Sequence, residues 1–198
     1  SPQGGDFSEP VTQNTKRYVR TFWGLDRALA YGRHFPSINW LTSYSEYISD
    51  LKPWYDQQVS PRFMADRQRI FTLLQEEDQL LEIVKLIGAD VLPEEQKLTL
   101  ETARLIRVGF LQQNAYNQID TYVPLEKQFQ MMEVILALYD GAKPLLERAI
   151  PLSQIKDTGI FASLSKIKYE VPNDTPQRFA DYHEAIRAAL RQVDEANR

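Results

Sequence analysis

The chain contains no cysteine, which excludes disulfides and thiolate zinc sites and fits a reducing compartment. Its two histidines, His34 and His183, lie in different predicted elements and show no ligand spacing, so no metal site is expected. No uninterrupted apolar run approaches the roughly 18 to 20 residues that a membrane span requires, which predicts a soluble chain without direct membrane insertion. The opening Ser1-Pro2-Gln3-Gly4-Gly5-Asp6 has neither the basic start nor the apolar centre of a signal peptide, and no export is expected. A cationic excess is also missing. Lys and Arg total 23 against 27 Asp and Glu, a formal net charge of -4. That balance is ordinary for solubility and poor for binding nucleic acid, and no basic stripe with interleaved aromatics occurs.

Catalytic patterns are absent in the same way. Phosphate handling calls for Gly-x-x-x-x-Gly-Lys-[Ser/Thr], because glycine amides must approach the phosphates and a lysine must neutralise them. The chain has no such stretch, and its glycine pair, Gly4-Gly5, precedes Asp6, whose charge repels phosphate. Gly-x-Ser-x-Gly, His-Glu-x-x-His and Gly-x-Gly-x-x-Gly do not occur either. Glu76-Glu77 and Glu94-Glu95 stand at predicted helix ends, where solvation is the ordinary state. No catalytic residue is predicted.

What is present is helical periodicity over 198 residues, 43% of them hydrophobic, enough for one large domain or one domain with a small appendage. Residues 1 to 10 read as an irregular lead-in with the look of a cut edge. Val11, Tyr18, Val19, Phe22, Trp23, Leu25 and Leu29 recur near helical spacing and predict a first helix from Pro10 to about Arg33. His34 to Trp40 reads as an ordered loop. A second helix is expected from Leu41 to Ser43 onward to Val59, bent or interrupted at Pro53. Ser60-Pro61 suggests a cap followed by proline at the first helical position. The helix it opens gives way to another over Glu76 to Ile87, ended by Gly88. Pro93-Glu94-Glu95 opens the next, reaching about Gln113. Pro124 to Ala142 follows, with a kink or restart at Pro144. Short pieces cover Leu152 to Lys168, and Ile167 to Val171 is a brief candidate strand. Thr175-Pro176 precedes a last amphipathic helix to about Ala196. The predicted fold is all-α, an irregular multi-helix bundle, with Trp23, Trp40 and Trp54 in its helix packing.

Three ordered blocks carry a family resemblance. Ser1-Pro2-Gln3-Gly4-Gly5-Asp6-Phe7-Ser8-Glu9-Pro10-Val11-Thr12-Gln13-Asn14-Thr15 resembles a signature of the catalytic A subunit of V/A-type rotary ATPases, with Gln3 where proline is usual. His34-Phe35-Pro36-Ser37-Ile38-Asn39-Trp40-Leu41-Thr42-Ser43-Tyr44-Ser45 is similar to a second block. Phe110-Leu111-Gln112-Gln113-Asn114-Ala115-Tyr116 is similar to a third, with Tyr116 in place of phenylalanine. The resemblance covers essentially the whole chain and places it as roughly the last third of that subunit. More distantly, Gly88-Ala89-Asp90-Val91-Leu92-Pro93-Glu94-Glu95-Gln96-Lys97-Leu98 is similar to Gly-Met-Asp-Glu-Leu-Ser-Glu-Glu-Asp-Lys-Leu of F-type beta subunits, a helix-loop-helix that leans on the rotor.

The resemblance implies a division of labour. Residues 1 to 10 would be the remnant of an upstream nucleotide-binding domain, and residues 11 to 198 the C-terminal helical domain. ATP or ADP with Mg²⁺ would be held mainly upstream, and this portion alone would be inactive with no tightly bound cofactor. The family's adenine-facing aromatics fall on Phe35 and Tyr116, for which plain core packing is the competing reading. Asp90, Val91, Leu92, Pro93, Glu94 and Glu95 would form the rotor-contact loop. The implied partners are B subunits of an alternating hexamer and the central stalk, on the cytoplasmic side of a membrane as a peripheral part of the complex. A stand-alone helical adaptor is the rival of a different class, and the noncatalytic B subunit a third reading.

Overall fold

The stretch predicted as one helix from Pro10 to Arg33 is three elements in the computed structural model, which describes residues 8–198. Helix α1 is Pro10–Lys16, strand β1 is Thr21–Leu25 and helix α2 is Arg27–Tyr31. Thr21, Phe22 and Trp23 are residue types that suit a strand. Asp26 then starts a new helix, because its carboxylate accepts from the Leu29 N–H at 3.1 Å and caps the N-terminus. The helical spacing of the apolar residues was real, but two short helices flanking a strand reproduce it. The expected remnant at 1 to 10 lies outside the described residues apart from Ser8, Glu9 and Pro10.

Strand β2, Ile38–Ser45, pairs antiparallel with β1, with Thr21 opposite Ser45, Leu25 opposite Ile38 and an irregularity between Phe22 and Gly24. It replaces both the end of the predicted loop and the helix start expected at Leu41 to Ser43. Gly24 is required at this irregularity, since a Cβ there would run into the Thr42 side chain. Phe22 and Tyr44 stack at 5.9 Å, and the Tyr44 hydroxyl donates to the Lys16 carbonyl at 3.0 Å. Helix α3, Ile48–Gln58, runs through Pro53. These elements belong to the first of two units, Ser1–Pro61 and Arg62–Arg198. Among its described residues no apolar side chain is buried, and Trp23 and Trp54, expected in helix packing, are exposed. A two-stranded sheet has no second layer of its own to cover them. Trp40 is half-buried, its ring 5.6 Å from that of His34.

The second unit is the helical bundle. The two helices predicted between residues 60 and 87 are one, α4, Phe63–Ile87. Gln75, Glu76, Glu77, Asp78 and Gln79 are helix-compatible and offer no break. Gly88, at φ 84, ends it as expected. Helix α5, Glu94–Leu105, follows Pro93 and passes into a π-helical turn, Ile106–Leu111. At Gly109 a Cβ would lie 3.3 Å from the Ser165 Cα, so the turn packs backbone to backbone.

Helix α6, Leu125–Glu147, continues through Pro144 without the expected restart. Its buried residues, Phe129, Met131, Met132, Val134, Ile135, Leu136 and Leu138, occupy nearly every direction, which is the pattern of a central helix. After it come α7, Leu152–Asp157, α8, Ile160–Leu164, and α9, Ile167–Glu170. The last of these corrects the strand expected at Ile167 to Val171. The Tyr169 and Glu170 amides donate to the Lys166 carbonyl at 2.9 and 3.1 Å, closing a helical turn where no strand is available to pair. A 3₁₀ turn, Pro176–Arg178, leads into α10, Phe179–Ala196, without a Thr175 side-chain cap. Phe179, Ile186 and Val193 are buried at heptad spacing along α10, and that stripe packs on α6. The all-α class stands, with one small hairpin in the first unit.

Candidate functional site

Phe35 lies in the first unit, between α2 and β2, on a loop hung from Asp26. The Asn39 side-chain amide donates to Asp26 Oδ2 at 2.8 Å, while the Asp26 N–H donates to the Ser37 carbonyl and the His34 N–H to the Leu29 carbonyl, both at 2.9 Å. The Asn39 amide, followed by the Leu29 N–H, holds the Asp26 carboxyl below its usual range. The Phe35-Pro36 bond is cis. The Phe35 side chain is 53% exposed, so the frame is ordered and the ring is not part of a core.

Tyr116 lies in the second unit, on the loop joining the π-helical turn to α6, and is fully exposed. Asn114 builds the turn beneath it: its Oδ1 accepts from the Tyr116 N–H at 3.0 Å, and its own N–H donates to Asp120 Oδ2 at 2.6 Å. Thr121 closes the far side, its hydroxyl placed at 2.9 Å from the Ala115 carbonyl and 2.6 Å from that of Asn117.

Below this loop are two lysines, each 2% exposed, that no sequence pattern announces. Lys168, on α9, donates to the Val108 carbonyl at 2.9 Å and to that of Gln112. Its ammonium is 3.9 Å from Asp120 Oδ2. Lys127, near the start of α6, donates to the Lys168 and Val171 carbonyls at 2.8 and 2.7 Å and to Asn173 Oδ1 at 3.0 Å. The Asn173 amide in turn donates to the carbonyls of Ile119 and Tyr122 at 3.0 and 2.7 Å. Burial holds both ammonium groups below the ordinary lysine range, with Asp120 opposing that shift. Spacing carries no sign of this cluster, because lysine is almost always solvated and its burial depends on carbonyls that only the fold supplies.

The elbow between α4 and α5 is differently made. Asp90, Val91, Pro93 and Glu95 are exposed, whereas Leu92 is buried. Leu86 and Ile87, on the last turn of α4, are exposed beside Val91 in sequence. Glu94 departs from the solvated carboxylate expected of it. It takes a hydrogen bond from Lys97 at 2.8 Å and another from the Leu152 N–H at 2.7 Å, so it caps α7. The Lys97 ammonium, then the Leu152 N–H, hold its carboxyl below the usual range.

Phe35 and Tyr116 belong to separate units, and each is a solvent-facing aromatic on a hydrogen-bonded loop. Such rings suit stacking against a flat apolar partner. Among the described residues no group of three or more His, Asp or Glu side chains is arranged to hold a metal ion. No helix among them is long and apolar enough to cross a membrane.

Comparison with known proteins agrees with the layout. The chain is 52% identical over 181 residues to the V-type ATP synthase alpha chain of Halothermothrix orenii, covering 91% of this chain and 31% of that one. It is 46% identical over 194 residues to the A subunit of the A-type ATP synthase of Methanosarcina acetivorans, covering 98% and 32%. The chain thus spans about a third of the length of these relatives. A solved structure described as a unique ATP synthase subunit NeqB from Nanoarcheaum equitans shares the fold at a TM-score of 0.59 and 22% identity, over 70% of this chain and 32% of that one. Residues 1–45 match the nucleotide-binding domain of the ATP synthase alpha/beta family. Residues 52–156 match the C-terminal domain of V and A type ATP synthase, and it is to this family that the chain belongs.

Proposed function

We propose that this chain works as the C-terminal part of the catalytic A subunit of a V/A-type, ion-translocating ATP synthase or ATPase. In this reading the opening residues, within the 1–45 match, continue from a nucleotide-binding domain, and the helical bundle of the second unit is the part that responds to it. The upstream domain holds the phosphates of ATP or ADP and the Mg²⁺ ion, which supplies charge neutralisation at the phosphates. Phe35 and Tyr116 close part of the adenine pocket, and the elbow from Asp90 to Glu95 leans on the central stalk. B subunits of an alternating hexamer are the lateral partners, on the cytoplasmic side of the membrane. The chain by itself hydrolyses no ATP.

The observation that carries the adenine assignment is the exposure of Tyr116. No core in its unit uses the ring, yet Asn114, Asn117, Asp120 and Thr121 are hydrogen-bonded around it. The exposed apolar side chains of the first unit support the wider reading, since Trp23, Leu25 and Tyr31 need a covering surface, which the proposed upstream domain would provide. In the complete A subunit, Tyr116→Ala is expected to weaken nucleotide affinity about tenfold to a hundredfold, the scale of about 1 to 3 kcal/mol for one stacked base. Tyr116→Phe keeps the ring face and is expected to be nearly silent. Nucleotide titration of both variants checks this, and equal losses would assign the contact to the hydroxyl instead.

A further inference from the structure

We infer that Lys168 and Asp120 are positioning residues that hold the loop backbone from which the Tyr116 ring projects, an inference that rests on the adenine reading of Tyr116. The connection is continuous. Lys168 holds the carbonyls of Val108 and Gln112, the end of the π-helical turn and the start of the loop. Asp120, 3.9 Å from the same ammonium, holds the Asn114 N–H at 2.6 Å, and Asn114 holds the Tyr116 N–H at 3.0 Å. From α9 to the tyrosine backbone, each link is an ion pair or a hydrogen bond, and those nearest α9 involve buried charges. Such bonds are shorter and stronger than neutral ones and resist displacement more where water is excluded.

A loop resting on a filled core would not need this fastening. Here a cavity of about 250 Å³ lies against the loop, lined by Phe110, Leu111, Gln113, Asp120, Val123 and Met131 among others. Packing therefore leaves open space into which a slack loop would sink, since interiors otherwise hold few voids larger than a water molecule. The directional bonds of Lys168 and Asp120 oppose that movement. The Tyr116 backbone thereby keeps its height, and with it the point from which the ring can stack on a flat base.

Removing one charge would strand the other in a buried site, so the informative variant removes both. Asp120→Asn with Lys168→Met keeps similar volumes and leaves an amide oxygen for the Asn114 N–H, and neutralising a buried pair together is often tolerated where breaking it is not. In the complete rotary complex, ATP hydrolysis kinetics and hydrogen exchange of the 112–123 segment are measured side by side, with Tyr116→Ala in parallel. The double variant is expected to speed exchange of the segment and raise KM for ATP about threefold to tenfold, tenfold in affinity being about 1.4 kcal/mol, with a smaller change in kcat. Thr121→Val, which removes only the exposed hydroxyl, is expected to move both readouts in the same direction by less. It decides the matter if the double variant does not assemble. Unaltered exchange in an assembled variant overturns the inference. Faster exchange with the parental KM overturns it too, provided that Tyr116→Ala raises KM. Faster exchange where Tyr116→Ala itself leaves KM unmoved supports the fastening and instead removes the adenine reading.

Discussion

The loop from Gln112 to Val123 and the elbow from Gly88 to Pro93 both join helices of the second unit. The first is tied by hydrogen bonds to the buried side chains of Asp120 and Lys168 and to Asn173, whose side chain Lys127 holds in turn. The second is held by one buried side chain, Leu92, and by the helix ends it connects, with the Leu92 N–H donating to the Ala89 carbonyl at 3.2 Å. Hydrogen bonds fix direction, whereas apolar burial fixes depth and is indifferent to orientation. The polar loop therefore suits an exposed ring whose tilt matters. The elbow, carrying exposed Val91 next to Leu86 and Ile87 on the preceding helix end, suits a contact that transmits displacement by shape.

The largest test of this contrast is Leu92→Ala. If the elbow depends on one apolar plug, truncation is expected to cost about 3 kcal/mol in urea unfolding, within the roughly 2 to 5 kcal/mol of buried Leu→Ala changes. Val91→Ala, at an exposed position, is expected to cost less than about 0.5 kcal/mol. Similar costs for the two would mean that the elbow has no single plug, and the contrast with the polar loop would fail.

Lys127→Met reaches the other loop through Asn173. It orphans the carbonyls of Lys168 and Val171 and the Asn173 side chain, but relieves the burial of a charge, and a net loss of about 2 kcal/mol is expected at neutral pH. The pH dependence gives the sharper signature. Burial lowers the Lys127 pKa in the folded chain, so between that lowered value and an unfolded value of about 10.4 the unfolded state binds more protons. Stability of the parent relative to Lys127→Met should therefore rise with pH across that window and be flat below it. Urea unfolding of both proteins at several alkaline pH values measures the difference, and a difference that falls with pH would contradict the burial account.

The contrast also explains what sequence could reveal. The elbow was legible because its devices are local: Gly88 as a helix stop and Pro93 with Glu94 as a helix start are fixed within a few residues. The family resemblance singled out Phe35 and Tyr116, and the structure adds that both rings are exposed. The fastening of the polar loop was not legible, since Lys168 meets its carbonyl acceptors 56 and 60 positions away. The hairpin of the first unit was missed for a different reason. Val19, Phe22, Trp23 and Leu29 satisfy a helical period by coincidence, and the decisive competitor was Asp26, whose carboxylate starts a helix at a point the apolar pattern had already spanned.

Glu94 and Glu95 make the smallest and finest test, because the elbow's acidic pair is uniform in sequence but divides in the structure. Glu94 bonds Lys97 and the N-terminal amide of α7, so Glu94→Ala is expected to cost about 1 kcal/mol, the scale of a lost helix cap. Glu95 is exposed, and Glu95→Ala is expected to change stability by less than about 0.5 kcal/mol. The acid limb carries the sign. The Lys97 and Leu152 contacts lower the Glu94 pKa in the folded chain, so its contribution is fully present above the unfolded value of about 4.3 and is lost as pH falls through the lower folded value. Parent and Glu94→Ala should then converge in stability on acidification. Acid titrations of urea unfolding decide between this and a purely electrostatic elbow, in which both substitutions would act alike. For the proposed rotor contact the consequence is asymmetric. Any loss of coupling in Glu94→Ala must first be corrected for a loosened α7, whereas a loss in Glu95→Ala with unchanged stability would place charge, rather than shape, at the proposed contact with the stalk.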